Sequence, residues 1–344
     1  MRMNYLGLVL LHMGAGLVGC SDGAGMTGDP TPDMAGSTTL ESVTKRTAAC
    51  EKAPGAANRC EAFDVVCGGL PAAVVEVATY DRTPGTTAKG SIVFGSGGDG
   101  TGFYNYTQTR RLQDAGYSVI DRRWPAGWFT GGTAGPQQAA CRLATLLRYL
   151  RANVVPTGAF CATGNSGGSA ELAYALTWQG AGKVLDFAMP SSGPFHRLDL
   201  ACQGETDATW KAQCQALMAS RCPDCASRIC QLGNGPRTLI DGSFNAMPKC
   251  SATMPSDLSL LMTLGPAQGP NAAKLDGAAV RFLTGKDDGG GYAPLQTALH
   301  DSLKATGANV EILYVTGAPH EMDTTTAGAN AIFDGLSTRC VPRT

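Results

Sequence analysis

The residues of this 344-residue chain that can do chemistry sit in short glycine-rich loops. Gly164-Asn165-Ser166-Gly167-Gly168 puts a serine two positions from a glycine on either side. That spacing suits a hydroxyl held on a tight turn between a strand and a helix, where side chains two residues away must leave room. A serine hydroxyl is a weak nucleophile until a base removes its proton. The chain has four histidines, and His12 lies in the apolar N-terminal stretch, which leaves His196, His300 and His320. His300 falls inside an expected helix, and His196 follows Ser192-Gly193-Pro194 at a turn. His320 belongs to Thr316-Gly317-Ala318-Pro319-His320-Glu321-Met322, just past a late strand, where an imidazole can reach a serine at the same sheet edge. His320 is therefore the favoured base.

An acid is needed to orient that imidazole and stabilise its protonated form. Phe282-Leu283-Thr284-Gly285-Lys286-Asp287-Asp288 places two carboxylates past another strand; Asp288 is favoured, Asp287 is the alternative, and Asp199 is weaker. Gly95-Ser96-Gly97-Gly98-Asp99-Gly100 supplies backbone amides that side chains do not shield. Those of Gly97 or Gly98 can join that of Gly167 around a developing oxyanion. Read alone, the same loop suits a phosphate, but it lacks the lysine and hydroxyl order of a P-loop. Each loop by itself is also compatible with a plain turn.

The elements that must position these loops alternate strand and helix. Strands are expected at 72–80, 89–94, 117–120, 159–163, 183–189, 279–284 and 310–316. Helices are expected at 107–115, 136–151, 169–178, 295–305 and 327–336. In the 136–151 helix, Ala140, Leu143, Leu147 and Leu150 share one face, and Pro136 fits its first turn. Units of this kind favour an α/β fold with a mostly parallel sheet covered by helices on both faces. The interval 195–274 breaks the rhythm. It holds six cysteines and reads as a cap or lid inserted over the sheet end; an insertion without a role is the alternative. Trp124, Trp128 and Phe129 follow a strand and are candidates to line a substrate pocket, with core packing as the bland account.

The 27 basic and 28 acidic residues give a net charge of -1. With no basic excess to neutralise a phosphate backbone, nucleic acid is not an expected partner. The chain opens with Arg2 and a short apolar stretch, too short for a bilayer-spanning helix but suited to a signal peptide over 1–19. Its end, Leu17-Val18-Gly19-Cys20, resembles the bacterial lipobox. The resemblance implies lipid on Cys20, anchoring to a bilayer, and a place in the bacterial cell envelope on the periplasmic or outer-surface face. Residues 20–49, poor in large apolar side chains, are expected to form a flexible tether to a domain spanning 50–344. Setting Cys20 aside, twelve of the thirteen cysteines remain. An even number in an exported chain fits six disulfides. Cys222-Pro-Asp-Cys225 is read as structural bridging in preference to zinc or redox chemistry.

Taken together, the loops resemble the α/β-hydrolase superfamily over most of 72–336, in the order Ser166, Asp288, His320. The resemblance implies Ser166 as nucleophile, Gly167 with Gly97 and Gly98 around the oxyanion, Asp288 as acid and His320 as base. Ser96 interrupts the His-Gly-Gly-Gly form of the oxyanion loop, and Asn165 replaces the His or Asp common in esterase turns, which argues against a narrow lipase assignment. The expected activity is hydrolysis of a small or polymeric carboxylic ester by a monomer, through an acyl-enzyme and with no metal or organic cofactor. A secreted peptidase or thioesterase, an inactive surface binding protein of the same fold, and a disulfide-stapled envelope module are the alternatives.

Overall fold

The computed structural model describes residues 41–343 apart from 105–106, 204–207, 226–229, 231–234, 245–248, 251–254 and 290. The expected signal peptide, Cys20 and the first part of the expected tether lie outside the described residues. In chain order the elements begin with β1 (Ser42–Ala49), β2 (Arg59–Val66), β3 (Ala73–Tyr80) and β4 (Gly90–Gly95). There follow α1 (Thr109–Asp114), β5 (Tyr117–Arg123), α2 (Pro136–Ala139), α3 (Cys141–Asn153), β6 (Ala159–Asn165), α4 (Gly167–Thr177) and β7 (Phe187–Ser191). Next come α5 (Leu198–Gln203), α6 (Ala208–Arg221), α7 (Gly235–Gly242) and α8 (Pro255–Thr263). The chain then gives β8 (Ala279–Gly285), α9 (Tyr292–Ala305), β9 (Val310–Val315) and α10 (Thr326–Arg339).

The strands form one sheet in the order β1-β2-β3-β5-β4-β6-β7-β8-β9. β1 through β3 and the β3–β5 pair are antiparallel, whereas β5, β4, β6, β7, β8 and β9 run parallel. Except for the edge strand β9, the parallel strands are largely buried on both sides because helices cover both faces. Alternate residues of β4 and β6 enter different cores: Val93, Phe160 and Ala162 pack on one face, and Ile92, Phe94, Ala159 and Cys161 on the other. This is the period-two alternation of a strand buried twice over.

Three sequence expectations need correction. Ser42–Ala49, expected in the tether, is the edge strand of the sheet, so the folded region begins earlier than residue 50. Its side chains are mostly exposed, and it is held by main-chain pairing and by ion pairs of Lys45 with Glu61 and Arg46 with Asp64. A strand whose one inward apolar side chain, Val43, is only partly buried has little hydrophobic signature to read, and charge on an edge strand discourages pairing with other chains. The helix over 136–151 breaks at Ala140 into α2 and α3. Of the strand expected at 183–189, Lys183 closes a 3-10 turn over Ala181–Lys183, and the strand itself starts at Phe187.

Residues 195–274 lie between β7 and β8 and contain α5 to α8, more helix than their periodicity suggests. In α6, Trp210, Cys214 and Met218 are buried at four-residue spacing, a face that is readable in the sequence. The six cysteines of this interval pair among themselves as Cys202–Cys250, Cys214–Cys230 and Cys222–Cys225. The rest pair as Cys50–Cys60, Cys67–Cys141 and Cys161–Cys340, so all twelve cysteines other than Cys20 are bridged. Such a set fits an oxidising compartment. Among the described residues no helix is long and apolar enough to cross a membrane.

Cys161 on central strand β6 and Cys340 after α10 are both buried. Replacing both by alanine is expected to lower unfolding free energy by about 2–5 kcal/mol, as read from urea denaturation.

Candidate active site

Sheet register brings the chemically interesting loops together. Gly95 at the end of β4 pairs with Gly164 near the end of β6, so the glycine loop and the Ser166 turn leave adjacent strands side by side. On the far side of β6, Asn165 pairs with Ser191, and the Ser166 N–H donates to the Ser191 carbonyl at 2.9 Å. Gly285 at the end of β8 pairs with Val315 of β9, and the Asp287 N–H donates to the Ala318 carbonyl at 3.1 Å. The loops bearing Asp288 and His320 are therefore tied to each other. All of these loops lie beyond the carboxyl ends of parallel strands, where ligand sites of open α/β sheets form.

Ser166 occupies a position that only a few non-glycine residues tolerate, with φ 51° and ψ -117°. A conformation of this kind costs about 1–3 kcal/mol and persists only where its surroundings enforce it. The enforcement is visible. The Ser166 carbonyl accepts from the Ser169 and Ala170 N–H groups at 3.0 Å each, as α4 begins. A side chain on Gly164 would come within 2.6 Å of the Gly168 backbone, and one on Gly168 would meet the Gly95 carbonyl oxygen at 2.7 Å. One on Gly167 would run into the Gly98 carbonyl. Gly97 lies against the Ser166 Cβ, 3.3 Å from where its own Cβ would stand. As first residue of α4, Gly167 has an N–H with no acceptor inside the helix, at the end whose dipole favours negative charge.

Asp288 is fully buried and its carboxylate oxygens lie 3.1 and 3.2 Å from His320 Nδ1. Asp287 is exposed, which resolves the choice between the two in favour of Asp288 as the partner of His320. Burial opposes protonation of His320, but the Asp288 carboxylate, helped by Glu321, outweighs it and raises the imidazole pKa above its ordinary value. Tyr292, which the sequence did not flag, stands next to both groups: its ring lies 4.6 Å from the His320 ring at 33°, and it shares with Ser166 the wall of one cavity. Burial, then the charge of Asp288, push the Tyr292 hydroxyl up to about 12. The available signal was positional: a tyrosine opening the helix four residues past the acid.

A cavity of about 380 Å³ opens over Ser166, lined by Gly98, Asp99, Gly167, Phe129, Phe195, Leu239 and Tyr292, with Pro236 and Thr238 from α7 of the inserted interval. Of the three aromatics proposed for a pocket, only Phe129 reaches it. Trp124 and Trp128 are fully buried in the core. Trp124 turns inward because its Nε1–H donates to Glu171 Oε1 at 2.9 Å. Glu171 also pairs with Arg122 at 2.7 Å, both side chains being buried. Arg122 in turn packs against Gly95, so this ion pair sits beneath both the glycine loop and α4. Burial pushes the Glu171 carboxyl up, against the pull of Arg122, Trp124 and Arg142.

The other histidines are engaged elsewhere. His196 Nε2 is 2.8 Å from the Ser302 hydroxyl, and burial first, then Arg197, lower its pKa to about 4. His300 is buried in α9 beside Asp301. Asp199 pairs with Arg197.

No protein-family model and no curated protein matches the chain. Similarity appears among solved structures. The acylaminoacyl peptidase of Pyrococcus horikoshii superposes with a TM-score of 0.52 and 12% identity, covering 83% of this chain and 42% of the peptidase. An acylaminoacyl peptidase in complex with Z-Gly-Gly-Phe-chloromethyl ketone gives 0.54, 12%, 83% and 42%. A highly thermostable carboxyl esterase from Bacillus coagulans gives a TM-score of 0.52 at 14% identity, covering 81% of this chain and 97% of the esterase. The chain thus spans less than half of the peptidases and nearly all of the esterase. These likenesses, with the sheet order and the cores on both faces, define the fold as that of the α/β-hydrolases.

His320 is expected to titrate above the ~6.5 of a free imidazole in an NMR titration of its ring protons. In Asp288→Asn the carboxylate is gone while burial remains, so the midpoint should fall below that of the parent protein. An unchanged midpoint would contradict the pairing.

Proposed function

We propose that the chain is an exported serine hydrolase that cleaves carboxylic esters through an acyl-enzyme. The observation that carries this reading is the strained Ser166 turn, set under an open cavity whose wall includes a tyrosine packed on His320, the partner of the buried Asp288. Strain and pKa perturbation gathered at one cavity are the physical marks of a working site.

Ser166 Oγ attacks the ester carbonyl carbon as His320 takes its proton, and the Asp288 carboxylate stabilises the imidazolium that forms. The carbonyl electrons move to oxygen, which the amide of Gly167 and those of Gly97 or Gly98 receive at the amino end of α4. Collapse expels the alcohol, protonated by His320, and leaves the acyl group on Ser166. Water, deprotonated by His320, then releases the acid and restores the serine. The largely apolar walls from Phe129, Phe195 and Leu239 suit an uncharged acyl or alcohol group of modest size, the free ester or the end of a polyester chain. Because the base must be neutral to accept the serine proton, the acid limb of the rate profile follows the raised His320 pKa.

The purified protein is expected to hydrolyse short-chain aryl esters and to acquire one phosphonate adduct at Ser166, located by peptide mass spectrometry. Ser166→Ala should lose at least about 10³-fold in kcat with its urea midpoint unchanged. Absence of both turnover and adduct in the parent protein would leave a non-catalytic hydrolase fold as the better account.

The six bridges support a life outside the reducing cytoplasm, and Cys20 supplies an attachment point through the lipobox-like Leu17-Val18-Gly19-Cys20. One acyl chain binds a bilayer only reversibly, so stable anchoring requires more than one. In a bacterium that processes lipoproteins, the full chain should fractionate with membranes and Cys20→Ser should not. Equal partition of the two would remove the anchor.

A further inference from the structure

Tyr292 has contacts that a cavity wall alone does not require. It opens the fourteen-residue helix α9 directly after Gly291, whose left-handed φ of 73° turns the chain from the Asp288 loop into the helix. That turn sets the ring against His320 and places the side chain in the same cavity wall as Ser166. Phe195 stands with its ring 6.3 Å from the same side chain. The hydroxyl remains protonated at any ordinary working pH and so remains a donor.

The side on which Tyr292 stands decides what it can do. In an acyl transfer the oxyanion points toward the backbone amides, while the leaving oxygen must face the imidazole that protonates it. Tyr292 stacks on His320, not on the amides, and lies on the leaving-group side. We propose that Tyr292 is a further catalytic residue of this site: its hydroxyl donates a hydrogen bond to the leaving oxygen during collapse of the tetrahedral intermediate. The inference rests on the serine-hydrolase reading above.

The electron count is that of ordinary ester cleavage. The oxyanion lone pair re-forms the carbonyl, the carbon–oxygen bond to the alcohol breaks, and its electron pair goes to the leaving oxygen. The proton that this oxygen receives is the one His320 took from Ser166. Tyr292 only donates a hydrogen bond and keeps its own proton, so nothing has to be restored before deacylation. The face of its ring, set against the imidazole, also favours the cationic state of His320 between the two transfers.

This role depends on how poor the leaving group is, and a structural role does not. An alkoxide needs the donor, whereas a nitrophenolate departs with little help. The test compares Tyr292→Phe with the parent protein on acetate esters whose alcohols range from p-nitrophenol to ethanol. Phosphonate labelling at Ser166 counts the folded, competent sites in each preparation. The expected loss in kcat/KM per labelled site is roughly 10- to 100-fold for the ethyl ester and shrinks steadily toward the nitrophenyl ester. A loss of the same size across the series, or no loss, overturns the proposal while the hydrolase reading survives. Tyr292→Leu, which also removes the ring, should add a loss that is equal for every ester; a profile as sloped as that of Tyr292→Phe with no added loss overturns the stacking part. A parent protein that neither turns over nor labels removes the hydrolase reading itself, and this proposal with it.

Discussion

The backbones of the Ser166 turn and of the Gly95–Gly100 loop touch with no side chain between them, and the geometry of the site follows from that contact. Gly167 and Gly168 on one side face Gly95, Ser96 and Gly98 on the other, at distances where a single added carbon on either glycine collides with main-chain oxygen, and Gly97 lies against Ser166. The sheet makes the contact possible by registering Gly95 against Gly164. The positive φ of Ser166 is the cost of this closeness, and the hydrogen bonds to Ser191, Ser169 and Ala170 hold it in place. Because interiors are packed without slack, a methyl group here would move the serine and the amides around it together.

Below that contact lies a second layer that fixes it from the interior. Arg122 and Glu171 form an ion pair away from water, joined by the Trp124 indole. Replacing one partner would leave a buried charge uncompensated, which is far more damaging than the pair is stabilising. The arrangement ties β5 to α4 under the glycine loop, so that loop and the Ser166 turn share one foundation. On the other edge of the site, Lys286 of the acid loop pairs with Asp224, within the Cys222–Cys225 bridge, at 2.6 Å. The inserted interval is thereby attached to the loop that carries Asp288.

Much of the site was legible because strand ends in a parallel sheet are forced to one edge, so loops after strands can be read as neighbours. Ser166, Asp288 and His320 were singled out this way, and Asp288 and His320 are in contact. Tyr292 was not, since a tyrosine at a helix start looks like any core or surface residue until the facing ring is known. Trp124 and Trp128 misled for the reverse reason: they follow a strand in the expected manner, but Glu171, nearly fifty residues on, draws Trp124 inward. The fold was clear where burial imprints period two or 3.6 on the chain. It was obscure at β1, whose side chains bury almost nothing, and in the disulfide pairing, which depends on distances that spacing does not encode.

The Cys161–Cys340 bridge joins residues 179 positions apart, across a stretch containing six of the other bridged cysteines. A chain emerging into an oxidising space from its amino end presents Cys161 long before Cys340. During that interval the nearest earlier thiol is Cys141, itself due to pair with the still earlier Cys67. Unless Cys161 is withdrawn promptly into the growing sheet, an early wrong linkage must later be undone by thiol exchange. Wherever that wrong linkage forms, maturation depends on an environment that can shuffle sulfur bonds as well as form them.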